Sequence, residues 1–278
     1  MDIFVTPFAA NNFMLQALVA GALVSLACAI AGTFIVLRGL AFIGDALAHG
    51  VLPGIALALL LGFPGILGAV VGAVFMIGGV TLITQRSRLS SDTAIGLFFV
   101  GMLSLGVVIV SRSSSFAGDL TRILFGEILG ISLGAILVQL VVTAAIGLVA
   151  FICARPFMLL SFDPDQARVA GFSPRIYHNI MLLMIAATIV VSFQTVGTLL
   201  VFGLLVAPAA AGAMIARRIG AMMAWAVLFG ILSVYLGLLL SYHLDLSAGA
   251  AIVLVTTVIF FLVFIAQNAR RHKVQVKA

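Results

Sequence analysis

The sequence predicts an all-α polytopic membrane protein, a bundle of about nine transmembrane helices. Hydrophobic residues make up 64% of the 278 residues, charged residues only 8%, and the mean hydropathy is +1.36. A soluble domain carries about 25% charged residues, so this composition excludes one. The apolar residues also come in runs of roughly 20, the length that a hydrocarbon core of about 30 Å requires of a helix. One transmembrane domain over residues 1–278 therefore accounts for the chain.

Nine apolar runs are the candidates for these helices, with short separators between them. In chain order they cover residues 14–37, 40–61, 65–85, 93–111, 132–153, 176–195, 197–216, 220–241 and 248–267. The seventh run is the weakest, because Gly197, Gly203 and Pro208 can break a helix or make it re-entrant. Eight complete spans plus one broken segment is the alternative architecture.

The basic residues predict the orientation, since Lys and Arg collect in cytoplasmic loops. With the N-terminus outside, 12 of the 14 basic residues fall on the inner side, and only Arg112 and Arg122 fall outside. The C-terminus is then a basic cytoplasmic tail, residues 268–278. Because the basic residues follow the topology, the net charge of +6 does not indicate a nucleic-acid partner. The N-terminus lacks the basic region and cleavage site of a signal peptide.

Two segments outside the spans have signals of their own. Residues 111–132 are polar and then moderately apolar, which predicts an outer loop with a short helix that dips back into the bundle. Residues 155–175 form the longest inner loop, with Asp163 as N-cap, Pro164 at the first helical position, Asp165 in the first turn and Gly171 as a stop. A capped cytoplasmic helix of about two turns suits docking to a partner protein. The alternative is a mere connector.

Asp45 is the acid that lies within a predicted span, and His49 is the histidine that lies deep in one. A charge inside a bilayer costs at least ~2.5 kcal/mol and usually marks an ion or substrate pathway. If the second helix begins near residue 40, the rise per residue places Asp45 about 8 Å and His49 about 14 Å along it. Residues four apart share one face of a helix, so both side chains can point at one object.

A carboxylate with a neutral imidazole suits a divalent Mn, Fe or Zn ion, and the lack of a thiolate argues against Cu(I). The two cysteines, Cys28 and Cys153, lie in apolar runs and are interpreted as small buried hydrophobic residues. Two ligands are too few for Zn or Mn, which take about four to six. A symmetric dimer would double them on a central axis. The alternative is a neutralising pair that only locks helices together.

The residues around the pair support a packed, slightly irregular helix. Ala46, Gly50 and Gly54 form a stripe of small residues that predicts the close approach of another helix. Pro53 has no N–H to donate to the carbonyl of His49, four residues earlier. A backbone oxygen is therefore expected to be free at the level of the two side chains.

The chain itself carries no ATP-hydrolysing motif. Its two lysines, Lys273 and Lys277, both lie in the C-terminal tail, so a P-loop lysine is excluded. We therefore expect a protein that is not an enzyme. The energy for uphill transport must come from a partner or from an ion gradient.

Five motifs resemble, in order and spacing, the transmembrane permease subunits of manganese/zinc/iron ABC importers. They are GDALAHGVLPGIALALLLG, SSDTAIGLFF, LTRILFGEILGIS, SFDPDQARVAGF and VGTLLVFGLLVAPAAAGA, within a match over about residues 14–265. The resemblance implies the fold of vitamin-B12-type importers and a homodimer in the bacterial inner membrane. It also implies two cytoplasmic ATPase subunits and an extracytoplasmic metal-binding protein as partners.

The resemblance assigns roles to particular residues. Asp45 and His49 match the intramembrane metal-binding pair. The segment with Pro208 matches a pathway-lining helix. Pro53, Gly54 and Pro208 are candidates for residues that contribute backbone atoms to the site or form a gate. The metal is then the transported substrate, and no cofactor is expected to be permanently bound. The expected coupling helix comprises Asp163, Asp165, Gln166, Ala167 and Gly171.

The outer residues His243 and Asp245 leave two interpretations open. They either line the route by which the ion arrives or are merely solvated loop residues.

Two other classes of protein compete with the importer. A proton- or sodium-coupled secondary transporter also suits an intramembrane Asp/His pair, but it usually has an internal repeat, which is not evident here. An intramembrane hydrolase would need a His-Glu-x-x-His helix, a second membrane Asp or a Gly-x-Ser-x-Gly motif. The first two are absent from the sequence, and the third occurs only as GISLG at residues 130–134, without the preceding strand that this motif requires.

Overall fold

The protein is built from helices throughout the residues that the computed structural model describes, which are 7–8, 10–87, 89–111 and 128–275. This confirms the predicted all-α class. The helices are α1 Asn12–Leu37, α2 Ala41–Gly50, α3 Leu52–Leu60, α4 Gly65–Arg86, α5 Ser91–Val110, a short 3₁₀ turn Ile128–Gly130, α6 Leu133–Ile152, α7 Ala154–Phe162, α8 Pro164–Val169, α9 Pro174–Val196, α10 Thr198–Ile215, α11 Ile219–Leu244 and α12 Ala248–Gln275.

Nine stretches within these described ranges are long and apolar enough to cross a membrane, as predicted. The protein is a multi-pass membrane protein. The second span consists of α2 and α3 together, with an interruption at Val51. The seventh, α10, is one helix that contains Pro208, so the alternative with a broken seventh segment is not observed.

Gly197 explains why the seventh span begins cleanly. It is the single residue between α9 and α10 and has a φ of 84°, a conformation that glycine adopts without a steric penalty. Gly197 therefore separates two helices rather than breaking one.

The helices form two groups with α2 between them. In the first group, α10 and α11 pack against each other and against both α1 and α12, and α6 and α9 pack against α1. In the second group, α3, α4 and α5 pack together. Helix α2 contacts α5 and α4 on one side and α9, α10 and α1 on the other. The helix that carries the two candidate ligands thus lies at the seam of the bundle.

The predicted outer loop and the predicted C-terminal tail do not coincide with elements of the described structure. Residues 112–127 of the predicted outer loop, with Arg112 and Arg122, lie outside the described residues. Helix α12 continues to Gln275, so the predicted tail from residue 268 begins as helix. Cys28 and Cys153 are buried free thiols, as interpreted.

Candidate metal site

Asp45 and His49 lie on one face of α2, as their spacing predicts. Asp45 Oδ1 and His49 Nε2 are 3.5 Å apart. That distance is long for an N–H···O hydrogen bond, which is usually 2.7 to 3.2 Å. Two ligands bonded tetrahedrally to one ion at about 2.1 Å lie about 3.4 Å apart. The separation therefore matches two ligands of a shared cation better than a hydrogen-bonded pair.

The pair is open on one side. The side chain of Asp45 is 33% exposed and that of His49 is 24% exposed. The ring of Phe99, on α5, covers part of the imidazole edge-on, with 5.7 Å between ring centroids. An ion or a second protein chain can therefore reach the two side chains, which a pair sealed between helices would not permit.

The hydrogen bonding of His49 is also incomplete. Its Nδ1 atom is buried and has no hydrogen-bond partner among the described residues. A buried polar atom without a partner is costly, and most are satisfied in folded proteins. Because the nitrogen near Asp45 is Nε2, the buried Nδ1 atom does not by itself distinguish an ion site from a structural pair.

Pro53 and Gly54 lie just beyond the pair, where the helix is interrupted. Helix α2 ends at Gly50, and α3 begins after the single residue Val51 with Pro53 in its first turn. Pro53 is buried, and its nitrogen has no hydrogen to donate to the carbonyl of His49. The second span, predicted as one run over residues 40–61, is thus interrupted at Val51, two residues before the proline.

The small-residue stripe packs against α4, which identifies the helix that was expected to approach closely. A Cβ atom at Gly54 would collide with the carbonyl oxygen of Gly68, and one at Gly50 would collide with the sulfur of Met76. Ala46 is buried as well. The stripe thus holds α4 tightly while the neighbouring face with Asp45 and His49 stays open.

Pro208 lies in the interior of the helix bundle, on α10, which packs against α2. It is buried in α10, close to Gly230 of α11. The same helix meets α2 through Phe202 and Leu205, which face Gly44. Helix α10 therefore backs the helix with the metal ligands, although its proline packs toward α11.

His243 and Asp245 lie at the end of α11, and the structure does not bring them together. Both are exposed, and Nδ1 of His243 donates a hydrogen bond of 2.9 Å to the carbonyl of Leu239 on its own helix. Asp245 has a φ of 52° and lines an open cavity of about 630 Å³ with Tyr242 and Phe13. Asp245 therefore borders a cavity, whereas His243 bonds to its own helix.

The predicted capped helix is present as α8, six residues long. Oδ1 of Asp163 accepts hydrogen bonds of 2.9 and 3.3 Å from the N–H groups of Asp165 and Gln166, which confirms the N-cap. Gly171, with a φ of 83°, donates to the carbonyl of Arg168 and ends the helix.

One face of α8 is held by the protein and the other is open. Ala167 is 1% exposed, while Val169 is 91% exposed and Phe162, at the end of α7, is 70% exposed. Arg168 and Asp165 form an exposed ion pair of 2.8 Å. Exposed apolar side chains flanked by charges are typical of a protein–protein contact.

A second intramembrane polar cluster was not predicted, because none of its residues is charged. The side-chain amide of Gln139 donates to the hydroxyls of Thr143 (3.3 Å) and Ser192 (3.4 Å) and accepts from Thr195 (3.3 Å). The Thr143 hydroxyl in turn donates to the carbonyl of Leu23. We call these four side chains the Gln139 network. Polar residues spaced three and four apart in the apolar runs of α6 and α9 were the available signal.

Within the described part of one chain, Asp45 and His49 have no third partner of the usual ligand types. Among the described residues, no group of three or more His, Cys, Asp or Glu side chains is close enough to hold a metal ion. A stable site for Mn or Zn would therefore need ligands from another chain, from backbone carbonyls or from water.

Comparison with known proteins gives consistent matches over nearly the whole chain. Residues 10–267 match the model of the ABC 3 transport family. The chain is 38% identical over 262 residues to the chelated iron transport system membrane protein YfeD of Yersinia pestis, covering 94% of this chain and 87% of that one. It is 35% identical over 253 residues to the manganese transport system membrane protein MntC of Halalkalibacterium halodurans, covering 91% and 87%. Among solved structures, a chain of PsaBC from Streptococcus pneumoniae in complex with Fab matches with a TM-score of 0.84 and 32% identity over 94% of both chains.

Proposed function

The chain belongs to the ABC 3 transport family, and on that premise we propose that it is the permease subunit of an ABC importer for a divalent transition metal. The observation that carries the proposal is the Asp45–His49 pair. Its 3.5 Å separation and its open side favour an ion site over a helix lock. The oxygen and nitrogen donors suit manganese, zinc or iron as the transported substrate.

We further propose that the working permease is a homodimer. One chain offers two side-chain ligands, and both are reachable from the protomer surface. A two-fold axis beside α2 would bring together two carboxylates and two imidazoles, which is enough for a divalent ion. The site would then be complete only in the dimer.

The energy is proposed to come from two copies of a separate cytoplasmic ATPase, since this chain has no lysine outside its tail. Helix α8 and the residues that cap it, Asp163 to Gly171, supply the docking surface. The exposed Val169 and Phe162 support this role, because no described residue covers them.

The proposed transport cycle follows from this arrangement in the bacterial inner membrane, with the N-terminus outside and the C-terminus in the cytoplasm. An extracytoplasmic metal-binding protein delivers the ion near Asp245 and His243. The ion is held between Asp45 and His49, and closure of the ATPases moves α8 and switches access to the cytoplasm. Pro53, Gly54 and Pro208 let the helices around the pair change their packing.

The test is metal uptake into proteoliposomes that contain the chain with its ATPase. We expect ATP-dependent uptake of one or more of Mn, Zn and Fe, and its loss in Asp45→Ala and His49→Ala, because each substitution removes a ligand. The amount of assembled complex and the basal ATP hydrolysis should stay near the wild-type level. Asp92→Ala, which removes an exposed acid at the start of α5, is the matched control and should transport normally.

Two results would contradict the proposal. Loss of the assembled complex in both ligand variants would identify Asp45 and His49 as a structural pair. Metal uptake by the chain alone, driven by a proton or sodium gradient, would identify a secondary transporter.

A further inference from the structure

Arg38 lies in the turn that joins α1 to α2, the helix with the candidate metal ligands. The turn has three residues, and its middle residue, Gly39, has a φ of 66° that favours glycine. Leu40 then packs against the core, and α2 begins at Ala41. Asp45 follows four residues later, about 6 Å along the helix axis. A displacement of this turn is therefore carried directly to Asp45 and His49.

The side chain of Arg38 reaches across the bundle to His178 in the first turns of α9. Nη1 of Arg38 lies 2.7 Å from Nδ1 of His178, and both side chains are half-buried. Since a guanidinium can only donate, His178 accepts at Nδ1 and carries its own proton on Nε2. Burial lowers the pKa of Arg38, although an arginine keeps its charge at any physiological pH.

No carboxylate of the described residues lies within ion-pair distance of Arg38. The arginine is held by a neutral imidazole, so the contact depends on the position of His178. An ion pair would tolerate more displacement, because the attraction between two charges falls slowly with distance. The Arg38–His178 hydrogen bond is accordingly sensitive to movement at this end of α9.

His178 is joined to α8 by a short series of contacts. Phe172, three residues after the end of α8, packs edge-on against Tyr177, with 5.5 Å between ring centroids. Tyr177 immediately precedes His178. On the other side of α8, Phe157 of α7 is fully buried against Phe34 of α1, with 5.1 Å between centroids. The helices on either side of α8 therefore both contact the end of α1 or the turn after it, α7 through Phe34 and α9 through Arg38.

We propose that Arg38 and His178 are positioning residues that transmit movement of α8 to the helix with Asp45 and His49. This inference rests on the proposed function, in which the ATPase docks on α8. When α8 moves, Phe172 and Tyr177 shift the start of α9. The hydrogen bond from Arg38 to His178 then shifts the turn before α2, so that ATP hydrolysis is coupled to the metal site.

The experiment measures metal uptake and ATP hydrolysis in the same proteoliposomes. For His178→Leu and Arg38→Met, we expect the number of ions moved per ATP to fall about tenfold, the effect of losing one hydrogen bond to a charged group. Hydrolysis itself should change less than about twofold, because α8 still docks. His178→Asn, which keeps an acceptor near the Nδ1 position, should restore most of the coupling. Arg86→Gln, the loss of an exposed arginine at the end of α4, is the control.

A second measurement follows the structural link without relying on transport. Hydrogen exchange of the α2 amides should change when the ATPase and ATP are added to the wild type, and this response should be lost in His178→Leu. The inference would be overturned if the hydrogen-exchange response of α2 were unchanged in His178→Leu. It would also be overturned if uptake and hydrolysis fell in parallel, or if His178→Asn did not restore the number of ions moved per ATP. If the wild-type complex showed no ATP-dependent uptake, the proposed function would be contradicted instead. Hydrogen exchange would still test whether a change at α8 reaches α2.

Discussion

The Gln139 network and the Asp45–His49 pair both lie within described spans, and they differ in charge, exposure and hydrogen bonding. The Gln139 network is neutral and nearly inaccessible, with exposures of 0 to 4% for its four residues, and its amide uses both its nitrogen and its oxygen. The Asp45–His49 pair is ionisable and partly exposed, and it leaves Nδ1 of His49 without a partner.

The difference separates polar groups that hold helices together from polar groups that remain available to a ligand. Neutral hydrogen bonds between helices stabilise a membrane protein modestly and need no further partner. An ionisable pair in a span is costly and is usually retained for a function. Access from outside, together with donor atoms 3.5 Å apart, is what an ion site needs before its ion arrives.

The largest effect is expected from Asp45→Asn, which keeps the shape of the side chain and removes its charge. Metal uptake should fall to background, because a neutral amide is a weak ligand for a divalent ion. The melting temperature in detergent should stay the same or rise, since a charge within a span is lost. Uptake and thermal unfolding of the purified complex are the two measurements. A fall in melting temperature with reduced assembly would make this region structural and remove the contrast with the Gln139 network.

Gly54→Val tests whether the opening at the pair depends on the tight contact between α3 and α4. The added side chain would collide with the carbonyl of Gly68, so we expect a loss of stability of up to about 3 kcal/mol and a fall in uptake. Gly78→Ala on α4 is the matched control, because a Cβ there meets nothing within 4 Å. Equal behaviour of the two variants would contradict a role for the close approach.

Gln139→Leu is expected to show the opposite pattern to Asp45→Asn. It leaves the hydroxyls of Ser192 and Thr195 without their amide partner, so the free energy of unfolding should fall by about 1–2 kcal/mol. Uptake per folded complex should change less than about twofold. Val141→Leu, on the exposed face of α6, is the control. A loss of uptake with normal stability would place the network in the transport pathway.

The smallest effect is expected at Asp163, which lies outside both polar regions. Asp163→Ala removes two hydrogen bonds at the start of α8 and should weaken this helix by about 1 kcal/mol. We expect weaker binding of the ATPase and unchanged metal binding, whereas Asp163→Ser should retain the cap. Titration of the ATPase onto the purified permease measures this. Equal affinity of Asp163→Ala and wild type would argue that α8 does not dock.

Much of the helical architecture follows from local properties of the chain. Apolar runs of sufficient length predicted the nine spans, and Asp163 and Gly171 predicted the ends of α8, because caps and hydrophobic length depend only on neighbouring residues. The interruption of a span was harder to place. Pro208 is accommodated within a continuous α10, whereas the second span stops at Val51. A proline's effect depends on what surrounds it, as well as on its own geometry.

The sequence by itself determined that one acid and one histidine share a face within the membrane, since their spacing and the helical period are enough for that. Only the tertiary structure decided what surrounds them: Phe99 against the imidazole, α4 against Gly54, and the hydrogen bond of Arg38 to His178 from 140 residues away. The physical reason is that a helix's period sets which side chains share a face, whereas packing between distant helices sets which partners that face meets.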